Sequence, residues 1–255
     1  MAAKHVLITG GASGIGFGMA QGFANEGYCV TLSDINKEAL ENAVASLKET
    51  HHTEVYGLEL DVTHSAQIAS APSRVVKPVD VLINNAGIQF VSALEAFPEE
   101  KWRLIIDILL TGPAMLTKAF LPGMYAQGFG RIINVGSIHS LVASPYKSAY
   151  VSAKHGILGF SKTIALESAD HDVTINTLCP SYVKTPLVEN QIAAQAKNHN
   201  ISEEEVINNI MLKPMPKKAF IALNELADTA LFLCSPSAKN ITAQAITIDG
   251  GWTAH

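Results

Sequence analysis

The sequence predicts an α/β fold, a single domain built on a doubly wound, seven-stranded parallel sheet with helices on both faces. Three observations predict it. Short apolar runs alternate along the chain with longer segments of helical periodicity. The composition is 48% hydrophobic and only 16% charged, as in a sheet that helices cover on both sides. A length of 255 residues suits one large α/β domain, so we interpret residues 1–255 as one unit.

The elements follow one another in a regular order. Strand-like apolar runs lie at 5–9, 28–33, 55–61, 79–84, 131–137, 173–179 and 245–251. Helical periodicity lies between them, at 14–26, 36–49, 63–76, 98–124, about 145–168 and 223–235. Residues 185–220 break the alternation with two amphipathic pieces after the sixth strand. Because ligands bind at the carboxyl ends of such strands, we predict a substrate lid there, with loose solvent-facing helices as the alternative.

Charge and cysteine content narrow the class of protein. The net charge is −5 without a basic run, which argues against nucleic-acid or membrane partners. The first apolar run ends in glycines rather than a cleavage site, and the run LIIDILL contains Asp107, so we expect neither a signal peptide nor a membrane span. Cys29, Cys179 and Cys234 are widely spaced, which predicts buried reduced thiols, no metal site and a cytoplasmic protein.

A glycine-rich turn follows the first strand and opens the first helix, as Thr9-Gly-Gly-Ala-Ser-Gly-Ile-Gly16. Glycines there let the backbone approach a pyrophosphate, and the helix N-terminus meets its charge. Asp34 ends the second strand, where a carboxylate can bind the adenosine ribose and repel a 2′-phosphate. The pattern therefore favours NAD over NADP. The alternative for Asp34 is an ordinary helix N-cap.

The glycine spacing, Asn84-Asn-Ala-Gly87, Ser137 and the pair Tyr150 and Lys154 occur in one order along the chain. Together they resemble the short-chain dehydrogenase/reductase family over the full length. The resemblance implies a Rossmann-like fold in which Asp61 and Val62 border the adenine and Thr185 holds the carboxamide. The implied cofactor-binding set is Gly10, Ser13, Gly14, Ile15, Gly16, Asp34, Asp61, Val62, Asn84, Ala86, Gly87, Tyr150, Lys154, Pro180, Val183 and Thr185.

Tyr150 is the predicted group that exchanges a proton with a substrate alcohol. Work near neutral pH requires its pKa to fall by about 3 units from ~10. A lysine ammonium ~4 Å away supplies about 4 kcal/mol at an effective dielectric constant of ~20, which is enough. Lys154 lies four residues on, so it shares a helical face with Tyr150. Ser137 would bond the substrate oxygen. Taken without the other motifs, the Tyr150 and Lys154 pair would be an ordinary helix surface.

Lys147 lies three residues before Tyr150. Because Lys154 is assigned to Tyr150, Lys147 is free for a different role. If Ser144 caps the helix and Pro145 begins it, Lys147 falls in the first turn, where the helix dipole disfavours a cation. That position favours an anionic partner. Gln89, His139 and Gln191 could each be an ordinary polar surface residue, but together with Lys147 they match the needs of a small carboxylate.

This set resembles, within the family, the bacterial members that act on D-3-hydroxybutyrate. The chain also ends in DGGWTAH, with Trp252. The resemblance implies reversible NAD-dependent oxidation of (R)-3-hydroxybutyrate to acetoacetate by a homotetramer. The implied substrate-binding residues are Gln89, Ser137, His139, Lys147, Tyr150, Gln191 and Trp252. Two alternatives remain open: a reductase for a sugar, steroid or acyl-thioester, and a non-catalytic NAD-binding sensor.

The sequence departs from the family pattern at two positions. Leu109 stands where asparagine is common, and Ser181 follows Pro180 where glycine is usual. In the family the asparagine side chain stabilises a bulge in its helix, and its main-chain carbonyl holds a water that leads to the active-site lysine. Leucine keeps the carbonyl, and Pro113 frees it from an N–H partner. We therefore expect a weakened proton relay. Ser181 would shift the backbone near the nicotinamide.

Overall fold

The chain folds around a seven-stranded sheet in which all strands are parallel. The structure, a computed structural model, describes residues 3–254. The strands are β1 (His5–Thr9), β2 (Cys29–Asp34), β3 (Val55–Glu59), β4 (Val81–Asn84), β5 (Gly130–Val135), β6 (Val173–Pro180) and β7 (Ala245–Ile248). Their spatial order is β3-β2-β1-β4-β5-β6-β7. This confirms the predicted fold class, and the strand order reverses between β1 and β4.

Helices connect the strands and cover both faces of the sheet. They are α1 (Gly14–Asn25), α2 (Lys37–Thr50), α3 (Ser65–Arg74), α4 (Glu99–Ile106), α5 (Gly112–Gln127), α6 (Ser148–Glu167), α7 (Pro186–His199), α8 (Glu203–Val206) and α9 (Leu223–Cys234). One core cluster joins the sheet to α1, α2 and α9, and a second joins it to α3, α5 and α6. Cys29, Cys179 and Cys234 are buried and free, as predicted.

Helix α6 begins later than the sequence predicted. Its first residue is Ser148, and Lys147 is the N-cap, with no side-chain cap bond. Tyr146 has φ of 65°, a left-handed conformation that cannot continue a right-handed helix. The prediction that Ser144 caps the helix and that Lys147 lies in its first turn is therefore wrong. As the N-cap, Lys147 still lies at the positive end of the helix dipole, so the argument for an anionic partner keeps its basis.

The predicted helix over 98–124 is divided in the structure. A π-helical turn, Asp107–Thr111, separates α4 from α5. Gly112 N–H bonds Asp107 O, five residues back, and Pro113 has no N–H to offer Leu109 O. The bulge thus forms without an asparagine at position 109.

The continuous helical run Glu99–Gln127 is long and apolar enough to cross a membrane by length and composition. This corrects the expectation that no stretch would qualify. Ile105, Leu116, Phe120 and Met124 of the run are buried in the protein core, however. The helical run packs as a core helix of this domain.

The predicted lid segment packs on the domain. Val188 and Ile192 of α7, Val206 of α8 and Met211 of the π-helical turn Ile207–Met211 are buried in a cluster of their own. Tyr182, which follows β6, packs against the same cluster. These buried contacts argue against loose helices, and closure of the segment over a substrate stays a prediction.

Candidate active site

A cavity of about 510 Å³ opens at the carboxyl ends of the central strands, beside the point where the strand order reverses. It brings together nearly all of the residues predicted from the sequence. From the cofactor set it is lined by Gly10, Ser13, Gly14, Ile15, Asp34, Asp61, Val62, Ala86, Gly87, Pro180, Val183 and Thr185. The predicted catalytic and substrate residues Gln89, Ser137, His139, Lys147, Tyr150, Lys154, Gln191 and Trp252 line the same cavity.

The glycine-rich turn has the geometry that the sequence predicted. Gly10 and Gly14 have φ of 60° and 54°, where glycine is favoured. A Cβ on Gly16 would clash with Gly10 O. Asn85, the residue after β4, holds the turn in place, since its Nδ2 donates to Thr9 O and Gly10 O at 2.9 and 3.1 Å. The turn is held rigidly open toward the cavity.

Two predicted cofactor residues lie outside the cavity lining. Gly16 lies behind the turn and allows close packing. Asn84 is buried, and its Nδ2 donates to Asn134 Oδ1 at 2.8 Å. The adjacent Asn85 lines the cavity instead. Successive residues of a strand point to opposite faces, so the sequence motif alone does not tell which of the two asparagines faces the ligand.

Asp34 presents its carboxylate at one end of the cavity. Oδ2 accepts from Ala12 N–H at 3.3 Å, and Oδ1 accepts from Asn36 N–H at 3.0 Å. The N-cap of α2 is Asn36, whose side chain accepts from Ala39 N–H at 3.0 Å. The alternative of Asp34 as the helix cap is therefore wrong. A glycine-rich turn beside a carboxylate fits a dinucleotide, with pyrophosphate at the turn and ribose at Asp34.

Ser137 is held at the end of β5 by the turn that follows it. It is the N-cap of a single 3₁₀ turn, Ile138–Ser140, and its Oγ accepts from His139 N–H at 3.2 Å. One lone pair of the Ser137 oxygen is thereby occupied. The remaining lone pair and the hydroxyl proton can serve Tyr150 and a substrate oxygen.

Tyr150 and Lys154 lie on consecutive turns of α6. Lys154 is buried, and its Nζ donates to Val135 O at 2.5 Å. The same Nζ lies 5.6 Å from the Tyr150 ring centroid. The lysine is therefore fixed from the strand side and lies under the tyrosine ring, as its i+4 spacing predicts.

The pKa values of this pair run opposite to the prediction for Tyr150. Burial raises the pKa of Tyr150, against a hydrogen bond from Ser137 that lowers it. Burial also lowers the pKa of Lys154 to about 8. Burial therefore opposes the predicted lowering of the Tyr150 pKa by Lys154, because a phenolate is disfavoured in a buried site.

The substrate residues meet at the other end of the cavity. Gln191 Nε2 donates to Gln89 Oε1 at 3.1 Å, which joins α7 to the loop after β4 across 102 residues. The His139 ring lies 6.1 Å from Tyr150 and 6.2 Å from Trp252, centroid to centroid. Tyr182 packs on Trp252 at 5.9 Å and also lines the cavity. The sequence interpretation missed Tyr182, although an aromatic residue just after β6 was a usable signal.

His139 and Lys147 form the polar side of this end of the cavity. Burial, and then the positive charge of Lys147, lower the pKa of His139 to about 4. The imidazole is consequently neutral near pH 7. Burial lowers the pKa of Lys147 as well. A partly buried lysine with a neutral imidazole beside it is suited to a single anion.

The two departures from the family pattern lie at the cavity wall. Leu109 is 2% exposed and packs with Ile105, Ala149 and Ala153. Ser181 keeps a negative φ, so its backbone does not need glycine. Its Oγ contacts Met215 Sδ at 3.4 Å, and its N–H donates to Ile248 O at 3.1 Å. Ser181 thus fits the local backbone without strain.

Comparisons with known proteins agree with this geometry. The family described as short chain dehydrogenase matches residues 4–196. An uncharacterized oxidoreductase of Bacillus subtilis, YxjF, is 42% identical over 257 residues, with both chains fully covered. The D-beta-hydroxybutyrate dehydrogenase of Rhizobium meliloti is 43% identical, covering 98% of this chain and 99% of the relative.

Solved structures show the same fold. L-sorbose reductase from Gluconobacter frateurii, complexed with NADPH and L-sorbose, has a TM-score of 0.94 at 29% identity and covers 100% of this chain and 98% of its own. A single-residue variant of actinorhodin polyketide ketoreductase with NADPH has a TM-score of 0.94 at 31% identity, covering 99% of this chain and 98% of its own. With the glycine turn and the Ser137, Tyr150 and Lys154 site, these findings establish that the chain belongs to the short-chain dehydrogenase family of nicotinamide-dependent oxidoreductases.

Proposed function

We propose that the protein catalyses the reversible oxidation of (R)-3-hydroxybutyrate to acetoacetate with NAD. One observation carries the proposal: Gln89, His139, Lys147 and Gln191 line the same cavity as Ser137, Tyr150 and Lys154. A substrate held by its carboxylate at the first set would present a hydroxyl group to the second. The similarity to D-beta-hydroxybutyrate dehydrogenase of Rhizobium meliloti supports this substrate.

The four polar residues would divide the recognition of one carboxylate. Lys147 supplies a charge-assisted hydrogen bond, worth about 1.5–3 kcal/mol. Gln191 Nε2 already donates to Gln89 Oε1, which leaves amide protons of both side chains for the anion. A neutral His139 adds one further donor without a second positive charge. The aromatic rings of Tyr182 and Trp252, 5.9 Å apart, would enclose the methyl end.

The catalytic residues would handle the hydroxyl proton. Tyr150 would accept it as the phenolate, a form that burial opposes and that the positive charges of Lys154 and of the oxidised nicotinamide would favour. Ser137 Oγ would donate a hydrogen bond to the substrate oxygen. Bound NAD supplies the acceptor for the hydride that leaves C3, and its oxidised ring brings a positive charge. Lys154, held by Val135 O at 2.5 Å, would bond the nicotinamide ribose. In acetoacetate reduction Tyr150 returns the proton.

The test is NADH formation with each enantiomer of 3-hydroxybutyrate. We expect activity with the (R) enantiomer and at least about 100-fold less with the (S) enantiomer, which corresponds to about 2.7 kcal/mol. Acetoacetate and an acetoacetyl thioester are compared in the reverse direction. Activity with neither enantiomer would refute the proposal, and reduction of the thioester alone would identify an acyl-thioester reductase.

The choice of NAD rests on the Asp34 carboxylate at the ribose end of the cavity. A carboxylate there binds ribose hydroxyls and repels a 2′-phosphate. The solved structures of L-sorbose reductase and the ketoreductase contain NADPH, so cofactor preference needs a direct test. We expect Asp34→Ala to reduce the ratio of kcat/KM for NAD to that for NADP at least tenfold. Glu38→Ala, an exposed acidic residue in the first turn of α2, is the control and should leave the ratio unchanged.

We also propose a cytoplasmic homotetramer without nucleic-acid or membrane partners. Leu166 on α6 and Phe232 on α9 are 78% and 49% exposed. Large apolar side chains at such exposure suggest surfaces that other copies of the chain cover.

A further inference from the structure

Ser140 is a buried serine, 1% exposed, to which the proposed chemistry gives no role. It lies at the end of the 3₁₀ turn that begins after Ser137. Its Oγ accepts a hydrogen bond from Ser137 N–H at 3.3 Å, and its own N–H donates to Ser137 O at 2.8 Å. The two serines are thus bonded in both directions across one turn.

The Ser140 hydroxyl lies in a tightly packed position between β5 and β6. A Cβ on Gly136 would lie 2.8 Å from Ser140 Oγ, so there is no room for a side chain at position 136. On the other side lies Cys179, at the end of β6. Burial raises the pKa of the Cys179 thiol, and hydrogen bonds from the Ser140 hydroxyl and the Ser137 backbone oppose that rise. The Ser140 hydroxyl therefore accepts from Ser137 and faces the Cys179 sulfur.

We propose that Ser140 is a positioning residue for Ser137, holding its backbone so that the Ser137 hydroxyl remains directed at Tyr150 and the substrate oxygen. The inference rests on the proposed catalytic role of Ser137. The Ser140 hydroxyl accepts from Ser137 N–H at 3.3 Å, and the Cys179 sulfur is a second group that this N–H faces. Without the hydroxyl the N–H would turn toward the weaker sulfur acceptor, and the 3₁₀ turn would tilt. Misplacement of a catalytic group by about 1 Å can lower a rate by about 100-fold.

The decisive experiment is a double-mutant cycle on kcat with Ser137→Ala and Ser140→Ala. Because Ser140 acts through Ser137, we expect Ser140→Ala to lower kcat about tenfold in the wild-type chain and less than about twofold in the Ser137→Ala background. KM for the substrate should change less than about twofold in both. An equal fall of kcat in both backgrounds would overturn the proposal, as would an unchanged kcat in an active wild-type chain.

Ser168→Ala is the matched control. Ser168 is also fully buried, and its Oγ bonds Tyr125 OH at 2.9 Å, but it does not line the cavity. We expect this variant to lower the unfolding midpoint and leave kcat unchanged. A loss of kcat that merely follows loss of stability would appear in this control as well.

Amide hydrogen exchange separates this inference from the proposed function, because it needs no substrate. Loss of the Ser140 hydroxyl should speed exchange of Ser137 N–H by about tenfold or more, while exchange in β5 stays unchanged. If 3-hydroxybutyrate is not oxidised, the proposed function fails and the exchange rates still decide whether Ser140 holds Ser137. Unchanged exchange at Ser137 would refute the positioning role.

Discussion

Lys147 and Lys154 lie on either side of Tyr150 in the sequence, and the structure gives them different surroundings. Lys154 is buried and bonded to Val135 O. Lys147 precedes α6 and lowers the pKa of His139 through its charge. In the proposed mechanism Lys154 therefore acts on Tyr150 and the ribose, and Lys147 binds the substrate anion.

Lys147→Ala provides the sharpest residue-level prediction. We expect KM for 3-hydroxybutyrate to rise about 10- to 100-fold, because the variant loses a charge-assisted hydrogen bond of about 1.5–3 kcal/mol. kcat should fall less than about threefold, since the lost contact is made equally in the ground and transition states. Steady-state kinetics measure both values. Lys184→Ala removes an exposed lysine outside the cavity lining and should change neither. An unchanged KM in Lys147→Ala would rule out carboxylate binding by this lysine.

The π-helical turn Asp107–Thr111 is the informative feature at the scale of elements. The expected weakness at Leu109 concerned both the bulge and the proton relay. The bulge is present because Pro113 cannot donate to Leu109 O and Gly112 bonds Asp107 O instead. A Cβ on Gly112 would lie 2.5 Å from Val62 O, so the turn also needs glycine there. What leucine removes is an amide at the cavity wall.

We therefore expect Leu109→Asn to raise kcat and to lower the free energy of unfolding. An amide at position 109 would add a hydrogen-bonding side chain beside the main-chain carbonyl that would hold the relay water, and kcat should rise severalfold. The free energy of unfolding should fall by about 1–3 kcal/mol, because the amide would lie among Ile105, Ala149 and Ala153. Leu109→Ala removes the leucine without adding an amide and should lose stability with no gain in kcat. A kcat that stays at the wild-type value in Leu109→Asn would mean that the relay does not use this side chain.

At the scale of the molecule, buried histidines predict sensitivity to acid. Burial lowers the pKa of His139 to about 4 and also lowers the pKa of His5. His5 bonds Thr31 Oγ1 through Nε2 at 2.7 Å and Lys77 O through Nδ1 at 3.1 Å. Below about pH 6.5 these two histidines bind protons in the unfolded chain but stay neutral in the folded chain. Stability is thus present above that pH and is lost as the pH falls toward 4.

We expect the free energy of unfolding to fall by about 2 kcal/mol between pH 7 and pH 5 from His139 alone, at about 1.4 kcal/mol per pH unit. Urea unfolding at the two pH values measures the loss. His139→Asn should reduce the difference, and His52→Asn, at an exposed residue, should leave it intact. An equal pH dependence in His139→Asn and the wild-type chain would contradict the expectation.

Assembly is the second prediction at this scale. Light scattering should give a mass of about four times 27.2 kDa. Leu166→Glu and Phe232→Glu should each lower that mass, because a charge cannot be buried without a partner at an apolar interface. Lys162→Glu, on the same helix as Leu166, tests whether charge alone is responsible. A monomeric wild-type chain would refute the tetramer.

The sequence was sufficient where one local rule determines the structure. The parallel sheet follows from the alternation of apolar runs and helices. The turn follows from the glycines at positions 10 and 14, which can adopt the positive φ values that the structure shows there. It was insufficient where distant packing decides. The left-handed Tyr146 moves the start of α6, and burial sets the direction of the Tyr150 pKa. Neither effect is encoded in the residues adjacent to it.

The hydrogen bond between Gln191 and Gln89 limits how this protein can be recombined with its relatives. The two amides come from segments that are 102 residues apart. A chimaera that takes only residues 185–220 from a relative with a different substrate would inherit one half of the proposed anion contact and keep the other half from the host. Under the proposed function, transplanting substrate preference requires the loop after β4 together with residues 185–220, as a discontinuous unit.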